Sequence, residues 1–375
     1  VSSQLGFEAI LHGHRPRVFG QPFYAGWGLT QDENPLPRRQ ARLTPKALFA
    51  GAMILAPLWY DPCRDRLCPL ETAIDQLEAE TRAWREDRQG HVAAGMRLWK
   101  RRRLQDFFGQ THALRFRDDP ATADLQAQAQ GRGLLIWAGR EPEGFAARAP
   151  CLRVEDGFLR SRGLGAELVP PLSLVTDDRG IYYDATRPSR LDRLIATPLS
   201  PANRARTLAL LDRIRAAGLS KYNLGGTLPP LPHGHRILVP GQVEDDASIR
   251  KGAGAIRTNL GLLQAARKAN PGAVLIYKPH PDVEAGLRPG QIDAQGLADV
   301  LAPNADPIAL LSEVQEVWTM TSLLGFEALI RGLPVTCLGA PFYAGWGLTR
   351  DLGPVPDWRQ ARPDLAQLAH AALIA

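Results

Sequence analysis

The chain has 375 residues, and its 45 Lys and Arg against 39 Asp and Glu leave a formal charge of +6; that length suits two or three domains with sizeable apolar cores. A mildly basic balance carried mostly by Arg fits an anionic small substrate or an anionic lipid, whereas no aromatic-interleaved basic strand or zinc-finger spacing supports nucleic acid. The longest apolar run, residues 47–60, contains Pro57 and is short for a membrane span, and the four scattered cysteines (Cys63, Cys68, Cys151, Cys337) read as reduced cytosolic thiols rather than disulfides or zinc ligands.

The first element is half of a repeat. Residues 3–32 return as residues 322–351 at a constant offset of 319 (322 − 3), and PFYAGWGLT is reproduced letter for letter at 22–30 and 341–349. Such an offset is far beyond a solenoid period of roughly 20–50 residues. It suits a duplicated module the size of a domain pair, so residues 1–45 read as the tail of one module and the remainder as one complete module. A helical connecting region is expected over 46–130, with helices at 45–55, 70–85 and 91–108. The run from Arg97 to Arg103 (RLWKRRR) lies on the last of these. It reads first as a solvated helix face and second as a foot on an anionic membrane surface.

From residue 131 the texture changes to short apolar strands between Gly, Pro and charged turns. Strands are expected at 134–138 and 151–154, followed by a polar block over 155–184 and a helix at 201–217. Strands at 236–240, 273–277, 298–301, 314–319 and 334–338 then alternate with helices at 255–269, 307–313 and 323–331. This alternation predicts a parallel sheet with helices on both faces. The fold class is α/β, GT-B-like, with two Rossmann-like halves and a cleft between them: an acceptor-side half at 131–230, a donor-binding half at 231–345, and a C-terminal tail with a helix at 346–375.

Ligands of open parallel sheets bind beyond the carboxyl ends of the strands. Three polar motifs of the second half fall there: Gln242 with the Glu244-Asp245-Asp246 turn, then Lys278-Pro279-His280-Pro281-Asp282, then Thr321-Ser322 opening the helix that carries Glu327. Ser322 suits an N-cap, and the same helix terminus offers free N–H groups to a phosphate. Lys278 and His280 add charge and a donor. Three adjacent carboxylates repel, so the acidic turn is not expected to be wholly buried. It reads as a solvated turn or as the source of a nucleophile. In the first half, Glu155 and Asp156 also follow a strand. Arg160 and Arg162 are candidates for binding substrate carboxylates in fork geometry, and Tyr183 for lining the cleft. The PFYAGWGLT block reads as a rigid aromatic loop that packs between halves, with sugar stacking second.

Residues 154–158 (VEDGF), 170–175 (PPLSLV), 182–185 (YYDA) and 220–224 (SKYNL), with the 242–248 turn, the 278–282 motif and PFYAGWGLT, resemble the KpsC-type capsular polysaccharide Kdo transferases over essentially the whole chain. That family carries two homologous transferase modules in tandem, which matches the repeat. The resemblance implies a retaining enzyme moving Kdo from CMP-Kdo to a Kdo linker on a lyso-phosphatidylglycerol lipid, with no cofactor beyond the donor and no metal. Retention implies an enzymatic nucleophile. The matching turn puts that role on Asp246, with Asp245 the near alternative, and leaves Glu155 or Asp156 as the base that activates the acceptor. His280-Pro281 resembles the phosphate-binding motif of sialyltransferases, with Ser322 assisting. By position the module resembles the one making the 2→7 linkage rather than the 2→4. The implied location is cytoplasmic and peripheral at the inner membrane, alongside other capsule assembly proteins. The first repeat copy keeps Ser3 and Glu8 and is expected to be inactive alone. A transferase for a neutral UDP-sugar and a non-catalytic export scaffold are the competing readings.

Overall fold

A computed structural model describes residues 3–165 and 167–375, and the chain divides into two compact units between Arg88 and Gln89. The first unit holds α1 (Leu5–Leu11), a parallel pair β1 (Arg17–Val18) and β2 (Gln31–Asp32), and α2 (Pro45–Phe49), which runs on as a π-helical turn over Ala50–Leu55. An antiparallel hairpin, β3 (Trp59–Asp61) and β4 (Arg66–Cys68), and the long helix α3 (Leu70–Asp87) complete it. Phe7, Ile10, Val18, Tyr24 and Leu48 form its core.

The second unit begins with β5 (His91–Ala94), α4 (Leu98–Phe108), β6 (Arg115–Arg117), α5 (Pro120–Ala129), β7 (Gly133–Trp137), β8 (Cys151–Asp156) and β9 (Leu174–Asp177). The sheet order is β6-β5-β7-β8-β9, parallel except for the β8–β9 pair. The sequence reading needs two corrections here. Residues 91–108 are not one helix, because His91–Ala94 is buried on both faces as an inner strand and Gly95 turns at φ +72° before α4 starts. The connecting region is also not helical throughout, since it contains a hairpin and nearly half of it, from β5 onward, belongs to this sheet. Alternate strand residues face opposite layers: Val92, Ala94, Leu134 and Ile136 meet Ala123 and Ala127 of α5, whereas Ala93, Leu135 and Val154 meet Leu104 and Phe108 of α4.

Next come α6 (Arg190–Ala196), with a Ser189/Asp192 capping box, and α7 (Pro201–Ala216). The remaining elements are β10 (Arg236–Pro240), α8 (Ala247–Gly252), α9 (Asn259–Ala269), β11 (Val274–Lys278), α10 (Pro281–Glu284), β12 (Val300–Leu301), α11 (Pro307–Glu313), β13 (Glu316–Thr319), α12 (Leu323–Ile330), β14 (Val335–Cys337), β15 (Arg350–Asp351) and α13 (Leu365–Leu373). All six strands are parallel, in the order β12-β11-β10-β13-β14-β15. Ile237, Val239, Leu275 and Tyr277 pack on Leu262, Leu263 and Ala266 of α9. Leu238 and Ile276 face the other way, into a core shared with α6, α7, α12 and α13. Helices α6 and α7 therefore complete the second sheet, although they precede residue 231 in the chain.

Both repeat copies fold alike. Tyr24 Oη donates to the Ser3 carbonyl at 2.7 Å, and Tyr343 Oη donates to that of Ser322. Gly26 and Gly345 stand at φ +84° and +86°, each donating its N–H to the Asp that ends the block, Asp32 or Asp351. Only glycine enters that left-handed region cheaply. Their surroundings differ. Phe342, 3% exposed, packs 4.7 Å from Phe158 and 6.1 Å from Tyr182 of the first half-sheet's loops, whereas Phe23 is 42% exposed. In the second copy the aromatic loop does pack between halves.

Candidate active site

Counting β10 as first in its sheet, the strand order is 3-2-1-4-5-6, so the direction of winding reverses between β10 and β13. Helices on either side of that point leave a crevice at the carboxyl ends, the usual ligand position in such sheets. A cleft of about 790 Å³ opens there, with Glu155, Asp156 and Tyr183 on one wall and the ends of β10, β11 and β13 on the other.

On the wall formed by the ends of β10, β11 and β13 the predicted motifs converge. Gln242, buried after β10, accepts the Thr321 N–H at 3.0 Å and donates to the Thr321 hydroxyl at 2.9 Å, tying the β10 loop to the β13 loop. Gln242 is itself held through its backbone by Asn259, with both contacts at 2.8 Å. Ser322 caps α12 by accepting the Leu324 N–H at 3.2 Å, and the first-turn amides of α12 face the cleft with the positive end of the helix dipole. Lys278, at the end of β11, is buried with no carboxylate in contact; burial lowers its pKa from the usual lysine value. His280 caps the short helix α10, with Pro281 at its first position, and its Nδ1 accepts the Asp282 N–H at 3.1 Å. Burial, aided by the positive charge of Lys221, pushes the His280 pKa down to about 4. The ring is therefore neutral at physiological pH, and its Nε2–H is the group left to donate.

The acidic turn splits three ways. Glu244 accepts the Asn259 N–H at 2.8 Å, and Asp245 is exposed and paired with Arg288 at 2.6 Å. Asp246 alone of the three lines the cleft, fixed by the Ser248 N–H at 3.0 Å and the Ser248 hydroxyl at 2.6 Å. This sets aside Asp245.

Glu155 and Asp156 both line the cleft, but their surroundings differ. Asp156 is clamped by Lys100 at 3.1 Å and Arg160 at 2.8 Å; burial works to raise its pKa, and these cations outweigh it and hold the carboxyl below its usual range. Glu155 has no direct cation, and burial followed by the charge of Asp156 pushes its pKa up to about 7. Arg160, only 1% exposed, donates to Asp156 through Nε and to Ser161 through Nη1, its buried Nη2 finds no partner among the described residues, and neither it nor exposed Arg162 is on the cleft wall. Neither Arg meets the expectation of a substrate carboxylate ligand. Tyr183 lines the cleft, with a buried hydroxyl that finds no partner among the described residues. Glu327 also lines it, but its carboxylate accepts the Lys221 N–H at 2.6 Å, so it positions the connecting loop rather than presenting a free group.

Three contributors escaped the sequence reading. Asn259 looks like an ordinary first residue of a helix, and Lys100 is hidden in a basic run that suggests solvent. Lys221 stood inside a recognised motif without a role, although a lone Lys in a Ser-x-Tyr-Asn turn between two halves was a usable signal.

The capsule polysaccharide biosynthesis protein family matches residues 1–58, 141–219 and 232–375. The chain is 43% identical, over its whole length, to the capsule polysaccharide modification protein LipA of Neisseria meningitidis serogroup B, and spans 55% of that protein. It is 42% identical to the lipopolysaccharide-processing protein LpsZ of Rhizobium meliloti, over 75% of this chain and 68% of that one. Two solved structures of Thermosulfurimonas dismutans KpsC are similar. The beta Kdo 2,4 transferase has TM-score 0.65 and 34% identity over 75% of this chain and 89% of that one. The beta Kdo 2,7 transferase has TM-score 0.63 and 38% identity over 76% of this chain and 90% of that one. With matches across both half-sheets and both repeat copies, the chain belongs to the capsule polysaccharide biosynthesis protein family.

Proposed function

We propose that this chain is a retaining β-Kdo transferase of GT-B-like arrangement that uses CMP-Kdo and extends a lipid-linked Kdo acceptor, as part of a tandem-module protein acting peripherally at the membrane. One observation carries the reading. Lys278, neutral His280 and the start of α12 meet at the switch point beside Asp246 of the β10 loop, and Glu155 faces them from the other half. An anionic leaving group needs cations and donors, and two successive displacements at one carbon need a nucleophile on one face and a base for the acceptor on the other.

In this reading the Asp246 carboxylate attacks the anomeric carbon as its bond to the phosphate oxygen breaks. The electron pair departs with CMP, whose phosphate is met by the Lys278 ammonium, the His280 Nε2–H and the α12 amides. The acceptor hydroxyl then attacks the same carbon, giving its proton to Glu155 and releasing Asp246. Two inversions retain configuration. Glu155 suits a base because a pKa of about 7 lets it be ionised and still take up a proton near neutral pH. Among the described residues no helix is long and apolar enough to cross a membrane, which accords with peripheral attachment.

The test is intact-protein mass spectrometry after incubation with CMP-Kdo generated in place, comparing the parent with Asp246→Ala. The parent is expected to gain the mass of one Kdo, and the variant to bind CMP without gaining it. CMP binding with no adduct in the parent would remove the double-displacement mechanism.

A further inference from the structure

The donor proposed above carries two anions, a phosphodiester and a carboxylate on the anomeric carbon itself. The cleft wall offers two lysines that pair with no carboxylate among the described residues, Lys278 and Lys221, whereas the nearby Arg288 is committed to Asp245 and Lys251 to Asp184 at 2.8 Å. Lys278 sits beside His280 on the nucleotide wall. Lys221 sits on the loop that joins the two halves, and its ammonium lies 5.0 Å from the centre of the Tyr222 ring. Its charge acts on Glu155 and Asp156 from one half and on Asp246, His280 and Asp282 from the other. Of the cleft-lining cations, Lys221 is the one on the loop between the halves and acts on groups of both, and the anomeric carbon must sit between the proposed nucleophile and base.

The loop is built to hold that position. Ser220 N–H donates to Asn223 Oδ1, and Asn223 N–H donates to Ser220 Oγ, both at 2.9 Å. The Lys221 N–H is held by Glu327, and the Lys221 carbonyl accepts the Arg160 and Ser161 N–H groups at 3.0 and 3.2 Å. Tyr222 O accepts the Gly163 N–H at 2.8 Å. The backbone is anchored on both sides of the cleft, while the ammonium has its own neighbour Tyr222 as hydrogen-bond partner and no carboxylate paired with it among the described residues.

Resting on the donor reading, we propose that Lys221 binds the carboxylate of the donor sugar and is the residue that selects an acidic keto sugar over a neutral one. A sugar carboxylate entering beside Asp246 and Glu155 meets like charge from both, and only a cation at Lys221 offsets that repulsion. A neutral sugar would leave the ammonium without an anion in a partly desolvated site, so it is rejected as well as poorly held.

The experiment measures CMP binding by calorimetry and Kdo transfer from CMP-Kdo generated in place, for the parent, Lys221→Met and Lys221→Arg. Lys221→Met is expected to bind CMP within about threefold of the parent, while kcat/KM for transfer falls at least about a hundredfold, the range for leaving a buried charge without its partner. Lys221→Arg is expected to recover part of that loss, which a merely structural role for the side chain would not produce. Transfer by Lys221→Met equal to the parent's would overturn the inference and leave the transferase reading standing. A tenfold or greater loss of CMP affinity would overturn it too, by placing the ammonium on the phosphate. A parent that binds no CMP and transfers no Kdo overturns the donor reading, and this inference with it. If Lys221→Met does not fold, Lys221→Gln decides: a selective fall in transfer supports the assignment, and parent-like transfer opposes it.

Discussion

Glu155 and Asp156 are chemically almost the same side chain one position apart, and the tertiary environment gives them opposite character. Successive residues of a strand point to opposite faces. Asp156 meets Lys100, whose ammonium also lies 3.4 Å from the centre of the Trp137 ring, and Arg160. Glu155 accepts the Asp156 N–H at 3.0 Å, and burial with the like charge of Asp156 outweighs the more distant Lys100 and Lys221. A general base must be ionised to take a proton, so kcat/KM for transfer is expected to rise with pH through about 7 and then level. Below that pH Glu155 holds its own proton and cannot accept the acceptor's. Glu155→Gln should reduce kcat/KM by about 10²–10⁴ and abolish that limb of the pH profile. A limb unchanged in the variant would assign the titration to another group.

At the scale of elements, α12 and the aromatic loop form one unit in each repeat copy, and a glycine sets their approach. A Cβ on Gly325 would lie 2.2 Å from Tyr343 Oη, and a Cβ on Gly6 would lie 2.2 Å from Tyr24 Oη. The tyrosine ring thus lies directly on the helix, and its hydroxyl reaches the carbonyl at the helix start. In the second copy the ring is fully enclosed and has nowhere to move. Gly325→Ala is therefore expected to cost about 1–3 kcal/mol, as overpacking does, and to weaken CMP binding because α12 opens on the proposed phosphate site. Urea denaturation of the parent and variant, with calorimetric titration of CMP, checks both effects. Normal stability in the variant would mean that the ring can yield.

Across the whole molecule, the segments before β10 and after β15 close over the same sheet, and one buried ion pair joins them. Arg359 Nε donates to Asp192 at 3.0 Å, 167 residues away in sequence, and its NH1 donates to the Pro341 and Ala344 carbonyls at 2.6 and 2.9 Å. Both side chains are almost wholly buried. Arg39 repeats the last two contacts, reaching the Pro22 and Ala25 carbonyls at 2.6 and 2.7 Å. Removing one partner of a buried pair leaves an uncompensated charge and typically costs about 3–5 kcal/mol. Asp192→Ala should lower stability by that amount in a denaturant titration, whereas a loss under about 1 kcal/mol would show that the loop carbonyls alone hold the guanidinium.

The local code of this sequence determined a good deal by itself. The letter-for-letter repeat, the alternation of apolar runs with capped helices from residue 236 on, and the polar residues just past each strand end were all legible, because strand burial, N-caps and turn glycines are properties of neighbours in sequence. Gln242, Lys278, His280, Thr321 and Ser322 were found that way. The boundary near residue 89 was not legible: His91-Val92-Ala93-Ala94 fits a helix as well as a strand until β6 and β7 flank it. Nor did adjacency distinguish Asp246 from Asp245, or Glu155 from Asp156, or show that Arg160 is buried behind Asp156 while Lys221 reaches the cleft. Those distinctions depend on which distant groups arrive beside each side chain, and long-range electrostatics and burial exist only once the two half-sheets have come together.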